Sequence, residues 1–223
     1  MKRGAHHQVP SSMVMAHELK APLALIRQIA LIHEHYSDSE KETAFRRIEC
    51  LSDRSLRLVN LLTKSYAQKE FEREVVNINR VVEDVAHEFL PIFRELNQSF
   101  ELRLKKKPLL ARANKEILYS IISGLCDNAL YYGSKNQPII FSSGERHGFA
   151  RITVEDSGPH MGNSNLGSKK TSPKRPNSSG LGLYIAEQFA QRMDSAIGAI
   201  RRRNSGMTFY LDVPVSKQLE LFS

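Results

Sequence analysis

Between residues 40 and 70, Phe45, Ile48, Leu51, Ser55, Leu58, Leu62 and Ser65 recur at steps of three and four. That alternation is the seam of a helix packing lengthwise on other helices. Upstream, Val14, Leu19, Leu23, Ile26, Ala30 and Ile32 repeat at helical spacing from Met13 to about His35, and Ser11 and Ser12 suit the start of that helix. Pro22 lies inside it and predicts a local kink, because proline has no N–H and its ring crowds the preceding turn. Tyr36 to Ser39 reads as a short loop, with Ser39 or Asp38 capping a second helix from about Glu40 to Glu70. Two long helices joined by a short loop form a hairpin whose apolar faces are too wide to bury on each other alone. Pairing with a second copy into a four-helix bundle removes them from water.

The rest of the chain has a different rhythm. After a charged linker, Lys69 to Glu74, the pattern predicts a strand over Val75 to Ile78, a helix from Asn79 to Leu96 and a strand over Ser99 to Leu104. A turn at Lys107-Pro108 leads to a strand over Leu109 to Ala113, and Asn114 caps a helix reaching about Tyr132. Pro138 to Gly144 and Ala150 to Asp156 form a hairpin turning near His147-Gly148. A helix over Gly180 to Met193 precedes a last hairpin, Ala196 to Arg202 and Met207 to Val213, turning at Asn204-Ser205-Gly206. No parallel-sheet signature is present, so the expected arrangement is one mostly antiparallel sheet covered on one face by helices. The fold class expected is α+β: a helical hairpin over residues 1–70 forming a dimeric four-helix bundle, an α/β sandwich over 75–216, and a tail over 217–223. The 23-residue stretch Ser157 to Ser179 has little regular pattern, and a loop that long is usually functional or disordered.

Charge and composition exclude several classes. Lys plus Arg is 32 and Asp plus Glu is 24, a formal charge of +8 in 223 residues. The basic residues sit in short clusters, Lys105-Lys106-Lys107 and Arg201-Arg202-Arg203, which suit hairpin ends or exposed strands. No helix-turn-helix periodicity, aromatic-interleaved patch or zinc spacing accompanies them, so no nucleic-acid partner is expected. A nucleoside triphosphate or an acidic protein accounts for the same charge. Two cysteines, Cys50 and Cys126, fall in apolar helical patterns and read as buried thiols in a reducing compartment. No apolar run is long enough to span a membrane, and Met1 to Gln8 lacks the apolar core of a signal peptide. A cytoplasmic location is expected, with membrane association only through an upstream region or a partner.

Against this background five short strings stand out: MAHELKAPL (Met15 to Leu23), LCDNAL (Leu125 to Leu130), VEDSGPHM (Val154 to Met161), SSGLGLYIA (Ser178 to Ala186) and SGMTF (Ser205 to Phe209). His17 stands beside the carboxylate of Glu18. Neutral imidazole is a good nucleophile near neutral pH, and a carboxylate that accepts a hydrogen bond from one ring nitrogen leaves the other available. A solvent-facing histidine on an amphipathic helix is the bland reading of His17, as helix capping is of Asn128. Glycines that open a helix, as Gly180 and Gly182 do, let main-chain amides approach phosphate. One G-x-G alone is a weak signal.

In their order, these strings resemble the sensor histidine kinases of two-component signalling: a phospho-accepting histidine on a helical hairpin, then a Bergerat-type (GHKL) ATP-binding domain. The resemblance runs from about Ser12 to about Pro214. It implies that His17 takes the γ-phosphoryl group of ATP and passes it to an aspartate of a response regulator, in a homodimer, with Glu18 assisting. It implies Asn128 as the Mg²⁺ ligand, Asp156 on the adenine amino group, Gly158 beneath the base, Gly180, Gly182 and Leu183 at the phosphates, and Thr208 on the adenine side.

The departures from the family pattern are local. Ala21 stands where Thr or Asn usually serves dephosphorylation, which predicts weak phosphatase activity. Gly124 and Tyr131 replace an Asn and a basic residue around Asn128, and His160 and Ser178 replace glycines. The loop between the glycine boxes lacks an aromatic anchor and carries Lys169, Lys170, Lys174 and Arg175. Either these grip the polyphosphate in place of the absent basic residue, or the loop is simply solvated. The alternative to an active kinase is a catalytically weakened, histidine-kinase-like regulatory or dimerisation module.

Overall fold

The computed structural model describes residues 11–32, 36–67, 72–158, 181–203 and 205–216. Helix α1, Ser11–Ile32, continues through Pro22 and packs against α2, Asp38–Ala67. The cap of α2 is Ser37 rather than the expected Ser39 or Asp38. Its hydroxyl and its N–H both donate to Glu40 Oε2, at 2.6 and 2.8 Å. Lys41 N donates to the Ser37 carbonyl at 2.9 Å. With Glu40 three residues on, this is the Glu half of a capping box. The Ser37 hydrogen bonds also hold the Glu40 carboxyl below its ordinary pKa.

Beyond the hairpin come β1 (Glu74–Asn77), α3 (Ile78–Glu95), β2 (Phe100–Arg103), β3 (Leu110–Ala113), α4 (Lys115–Tyr132), β4 (Ile139–Arg146), β5 (Phe149–Glu155), α5 (Leu181–Arg192), β6 (Ala196–Arg201) and β7 (Met207–Pro214). One expectation needs correction. The strands form two sheets, not one: β1 pairs antiparallel with β3, while the main sheet has the order β2-β4-β5-β7-β6. The main sheet is mixed, because β2 runs parallel to β4, Phe100 opposite Ile139 and Arg103 opposite Ser142. The reason is the connection. β3 leaves to join β1, and α4 crosses back before β4 enters beside β2, a crossover long enough for parallel strands. Ile139 N donates to Ser99 O at 3.0 Å, and Gln98 Nε2 donates to Gln137 O at 2.6 Å, so the two strand starts are tied together.

One face of the main sheet is buried under helices. In β5 the buried residues Ala150, Ile152 and Val154 alternate with Arg151, Thr153 and Glu155; in β7 Met207, Phe209, Leu211 and Val213 alternate with Thr208, Tyr210 and Asp212. This period of two gives each strand one core face and one outer face. α3 presents Val81, Val82, Val85, Phe89 and Phe93 at helical spacing, all buried. Each such side chain contributes about 1.5–3 kcal/mol by leaving water. Asn77 caps α3 through Asn79 N, and Asn114 caps α4 through Ile117 N at 3.0 Å, as expected for the latter. Cys126 is buried and in no disulfide, and the Cys50 side chain lies outside the described residues.

The outer face is organised by charge. Arg151 holds Asp212 through two bonds of 2.6 Å, and its guanidinium lies 4.2 Å from the Tyr210 ring centroid. Opposite Tyr210 in the register stands Gly198, where any Cβ would come within 2.2 Å of that ring. Glycine is required here because the aromatic ring occupies the space a side chain would fill.

Candidate functional site

The C-terminal end of β5 carries Asp156, which is 1% exposed. Its N–H donates to Met207 O at 2.9 Å, extending the β5–β7 ladder by one bond. Its Oδ1 accepts from Gly158 N at 2.9 Å and Met207 N at 3.2 Å. The carboxylate is thereby fixed by two main-chain amides. An ionised carboxylate only accepts hydrogen bonds, so what it recognises is a donor. Buried and fixed, it can receive a ligand N–H donor. Beside it, Ser157 Oγ is buried with no hydrogen-bond partner among the described residues.

Two glycines let main chain close on this turn. A Cβ at Gly158 would lie 1.7 Å from Tyr132 O, and one at Gly206 would lie 1.9 Å from Asp156 O. Gly206 also has φ of +86°, a conformation that favours glycine. Gly158 was expected from the sequence as a turn residue. What the sequence did not disclose is its neighbour: the last turn of α4, through Tyr132 and Gly133. A Cβ on Gly133 would meet Ala129 O at 2.4 Å and lie 3.5 Å from the Asp156 Cβ.

Asn128 lies one helical turn before Tyr132, about 6 Å back along the α4 axis from the residue whose carbonyl faces Gly158. Asn128 is half-buried, and Gly124, one turn earlier, is exposed, with open space where its side chain would be. Tyr131 is exposed and meets Tyr132 edge-on at 4.9 Å between ring centroids. Among the described residues no group of three His, Cys, Asp or Glu side chains could hold a metal ion. Asn128 therefore offers a single amide oxygen. An amide oxygen suits a hard divalent cation that takes most of its ligands from phosphates and water.

Gly182 and Leu183 lie in the first turn of α5, and Leu183 is half-buried against the core. α5 packs on α4, the helix that carries Asn128. Gly180, Lys169 and Lys170 lie outside the described residues, as does the rest of 159–180.

Thr208 is not brought to Asp156. It stands opposite Glu155 and Ile200 in the outer row of the sheet, while Met207 faces inward and bonds Asp156 through its main chain. Sequence reading missed this because the two residues after Gly206 differ only in which face the pleat assigns them. It also missed Arg202, whose Nη1 donates to Asp156 O at 3.1 Å.

His17 and Glu18 lie in α1, upstream of Pro22, with their side chains outside the described residues. α1 touches α5, and α2 touches α3 and α4. The hairpin thus rests against the same helices that carry Asn128 and Gly182.

Comparison with known proteins agrees with this arrangement. Residues 113–217 match the family described as histidine kinase-, DNA gyrase B- and HSP90-like ATPase. The chain is 25% identical over 189 residues to the sensor histidine kinase YkoH of Bacillus subtilis, covering 78% of this chain and 40% of that protein. Its fold is similar to the nucleotide-free catalytic domain of histidine kinase ThkA, with a TM-score of 0.59 and 22% identity, covering 65% of this chain and 97% of that one. It is also similar to ThkA in complex with the response regulator TrrA, with a TM-score of 0.59 and 20% identity, covering 93% of this chain and 61% of that one. The chain spans about half the length of the curated relatives it matches.

Proposed function

We propose that this chain is a sensor histidine kinase with a GHKL-type ATPase domain, and that it binds ATP between α4, α5 and the Asp156 turn and phosphorylates His17. The single observation that carries this reading is the Asp156 carboxylate, buried and fixed by the amides of Gly158 and Met207 at the end of the sheet. It suits the 6-amino group of adenine, which is an N–H donor. Gly158 lets the main chain run beneath the base, and Gly182 and Leu183 in the first turn of α5, with Gly180 just before them in the sequence, serve the phosphates. Asn128 is the protein ligand for Mg²⁺, which neutralises phosphate charge when bound. Lys169 and Lys170 add charge from the intervening loop.

In the reaction, one imidazole nitrogen of His17 attacks the γ-phosphorus. The new N–P bond forms as the bond to the β,γ-bridging oxygen breaks, and ADP leaves. Glu18 takes the hydrogen bond from the other ring nitrogen and stabilises the charge that develops on the ring. Positioning and charge neutralisation carry most of such a phosphoryl transfer. The phosphoryl group then passes to an aspartate of a response regulator docked on the hairpin, as the ThkA complex with TrrA suggests by analogy.

The division of labour follows the chain. Residues 1–70 serve dimerisation and phospho-acceptance, and residues 75–216 bind ATP. Leu23, Leu31, Phe45 and Leu56 are each more than half exposed on the hairpin, which supports a second copy covering them in a four-helix bundle. Among the described residues no helix is long and apolar enough to cross a membrane, which is compatible with a cytoplasmic setting.

Incubation with γ-labelled ATP and Mg²⁺ tests the proposal. Acid-labile label is expected on the wild type, none on His17→Gln, and much less on Asn128→Ala. Measurable ATP binding and dimerisation without any label would instead support the regulatory module.

A further inference from the structure

Arg202, just after β6, reaches past the start of β7 to the Asp156 turn at the end of β5. Its Nη1 donates to the Asp156 carbonyl at 3.1 Å, its Nε lies 3.6 Å from Glu155 Oε2, and its own N–H donates to Gly206 O at 3.2 Å. A second strap runs parallel to it: Ser205 Oγ donates to Ser157 O at 3.2 Å. The β6–β7 turn is therefore bound to residues 155–157 through side chains, and not by the strand ladder alone.

The arrangement has a reason. The Met207 N–H points at Asp156 Oδ1 and not at a main-chain carbonyl, so the side chain of Asp156 has taken a donor from the end of the ladder. Arg202 supplies a charged donor to the carbonyl of the same residue. It thereby holds the peptide plane on one side of Asp156 while Gly158 and Met207 hold the carboxylate on the other. A planar guanidinium with several fixed donors can bridge a carbonyl and a carboxylate at once; an ammonium cannot do so with the same rigidity.

We propose that Arg202 is a positioning residue for base recognition: it fixes the Asp156 main chain so that the carboxylate meets the 6-amino group of the purine, and so sets the selectivity for 6-aminopurine nucleotides. The inference rests on the proposed role of Asp156. Arg202 touches neither base nor phosphate; it acts through Asp156. A side chain that positions a recognition group affects ligands that use the group more than ligands that do not.

The test compares the affinity of the full chain for ATP with that for purine riboside triphosphate, which lacks the 6-amino group. The wild type is expected to prefer ATP. Arg202→Ala is expected to weaken ATP binding by about 3- to 10-fold, in line with loss of a partly exposed charged hydrogen bond. Binding of the analogue should change by less than about 2-fold, within the scatter expected for a residue that does not touch the ligand. Arg202→Lys should restore part of the preference. If Arg202→Ala does not fold, Arg202→Gln is judged on the same ratio. Unchanged selectivity in the variants, or an equal loss for both nucleotides, overturns the inference and leaves the Asp156 reading intact. A wild type that does not distinguish the two nucleotides overturns the Asp156 reading, and the inference with it.

Discussion

Arg57 on α2 and Glu88 on α3 meet at 2.5 Å, joining the hairpin to the ATPase fold. The Tyr119 hydroxyl, from α4, donates to the other Glu88 oxygen, and the Arg57 guanidinium lies 5.0 Å from the Tyr119 ring centroid. Three helices thus share one polar junction. Arg47 and Glu95 form a second pair at 2.6 Å between the same two helices, α2 and α3, and Leu58, next to Arg57, packs on the core.

The junction is expected to behave as a coupled unit. Arg57→Ala should lower unfolding free energy by about 1 kcal/mol, since the pair is partly exposed. Arg57→Ala combined with Glu88→Gln should cost less than the sum of the single changes. Denaturant unfolding of the four proteins measures the difference, and simple additivity would show that the pair is not coupled.

Tyr119 gives the junction a dependence on alkaline pH. Burial, then the hydrogen bond and charge of Glu88, push the phenol well above its ordinary value of 10. The folded chain therefore keeps this proton where the unfolded chain loses it. The resulting stability is fully present below about pH 10 and is lost as pH rises through the folded value. Wild type should lose stability above about pH 10 more steeply than Tyr119→Phe, once both are referred to neutral pH. Parallel curves would contradict the assignment.

Two glycines separate stability from binding. Gly198→Ala drives a methyl group against the Tyr210 ring and should cost about 1–3 kcal/mol of stability. It lies on the outer face, so nucleotide affinity of the folded fraction should be unchanged. Gly158→Ala forces a methyl group against Tyr132 O and should abolish ATP binding while more of the fold survives. Thermal unfolding and equilibrium dialysis on both variants distinguish the two effects.

Gly124 offers the converse. Nothing lies within 4 Å of a Cβ built there. Gly124→Asn should fold at least as well as wild type, because helical glycine is unfavourable by about 0.5–1 kcal/mol relative to ordinary residues. It adds a polar group one turn before Asn128 and should raise ATP affinity in the presence of Mg²⁺. Unchanged affinity would mean that this face of α4 does not meet the phosphates.

Much of this architecture was readable from local chemistry. Asn114 announces α4 because its side chain caps Ile117 N, and the His147-Gly148 turn announces the β4–β5 hairpin, with both residues at positive φ. The Ser37-to-Glu40 capping box was also present in the sequence, but Asp38 and Ser39 competed for the same role. Strand direction was not readable: the alternation of Phe100 to Arg103 is the same whether its neighbour runs parallel or antiparallel. Contacts between distant residues, such as Arg57 with Glu88 or Arg202 with Asp156, leave no local signal, since each arginine reads as a solvated surface charge. The histidine motif and the glycine boxes were legible through their order along the chain, while the pleat that sends Thr208 outward and Met207 inward was not.

The most direct measurement locates the phosphoryl group. The intact chain is incubated with ATP and Mg²⁺, digested under neutral conditions, and its phosphopeptides are sequenced by mass spectrometry. The account predicts modification of His17 alone, absent from Asp156→Ala because that chain no longer holds the nucleotide. A phosphoryl group on any other residue, or one on His17 that persists in Asp156→Ala, would contradict it.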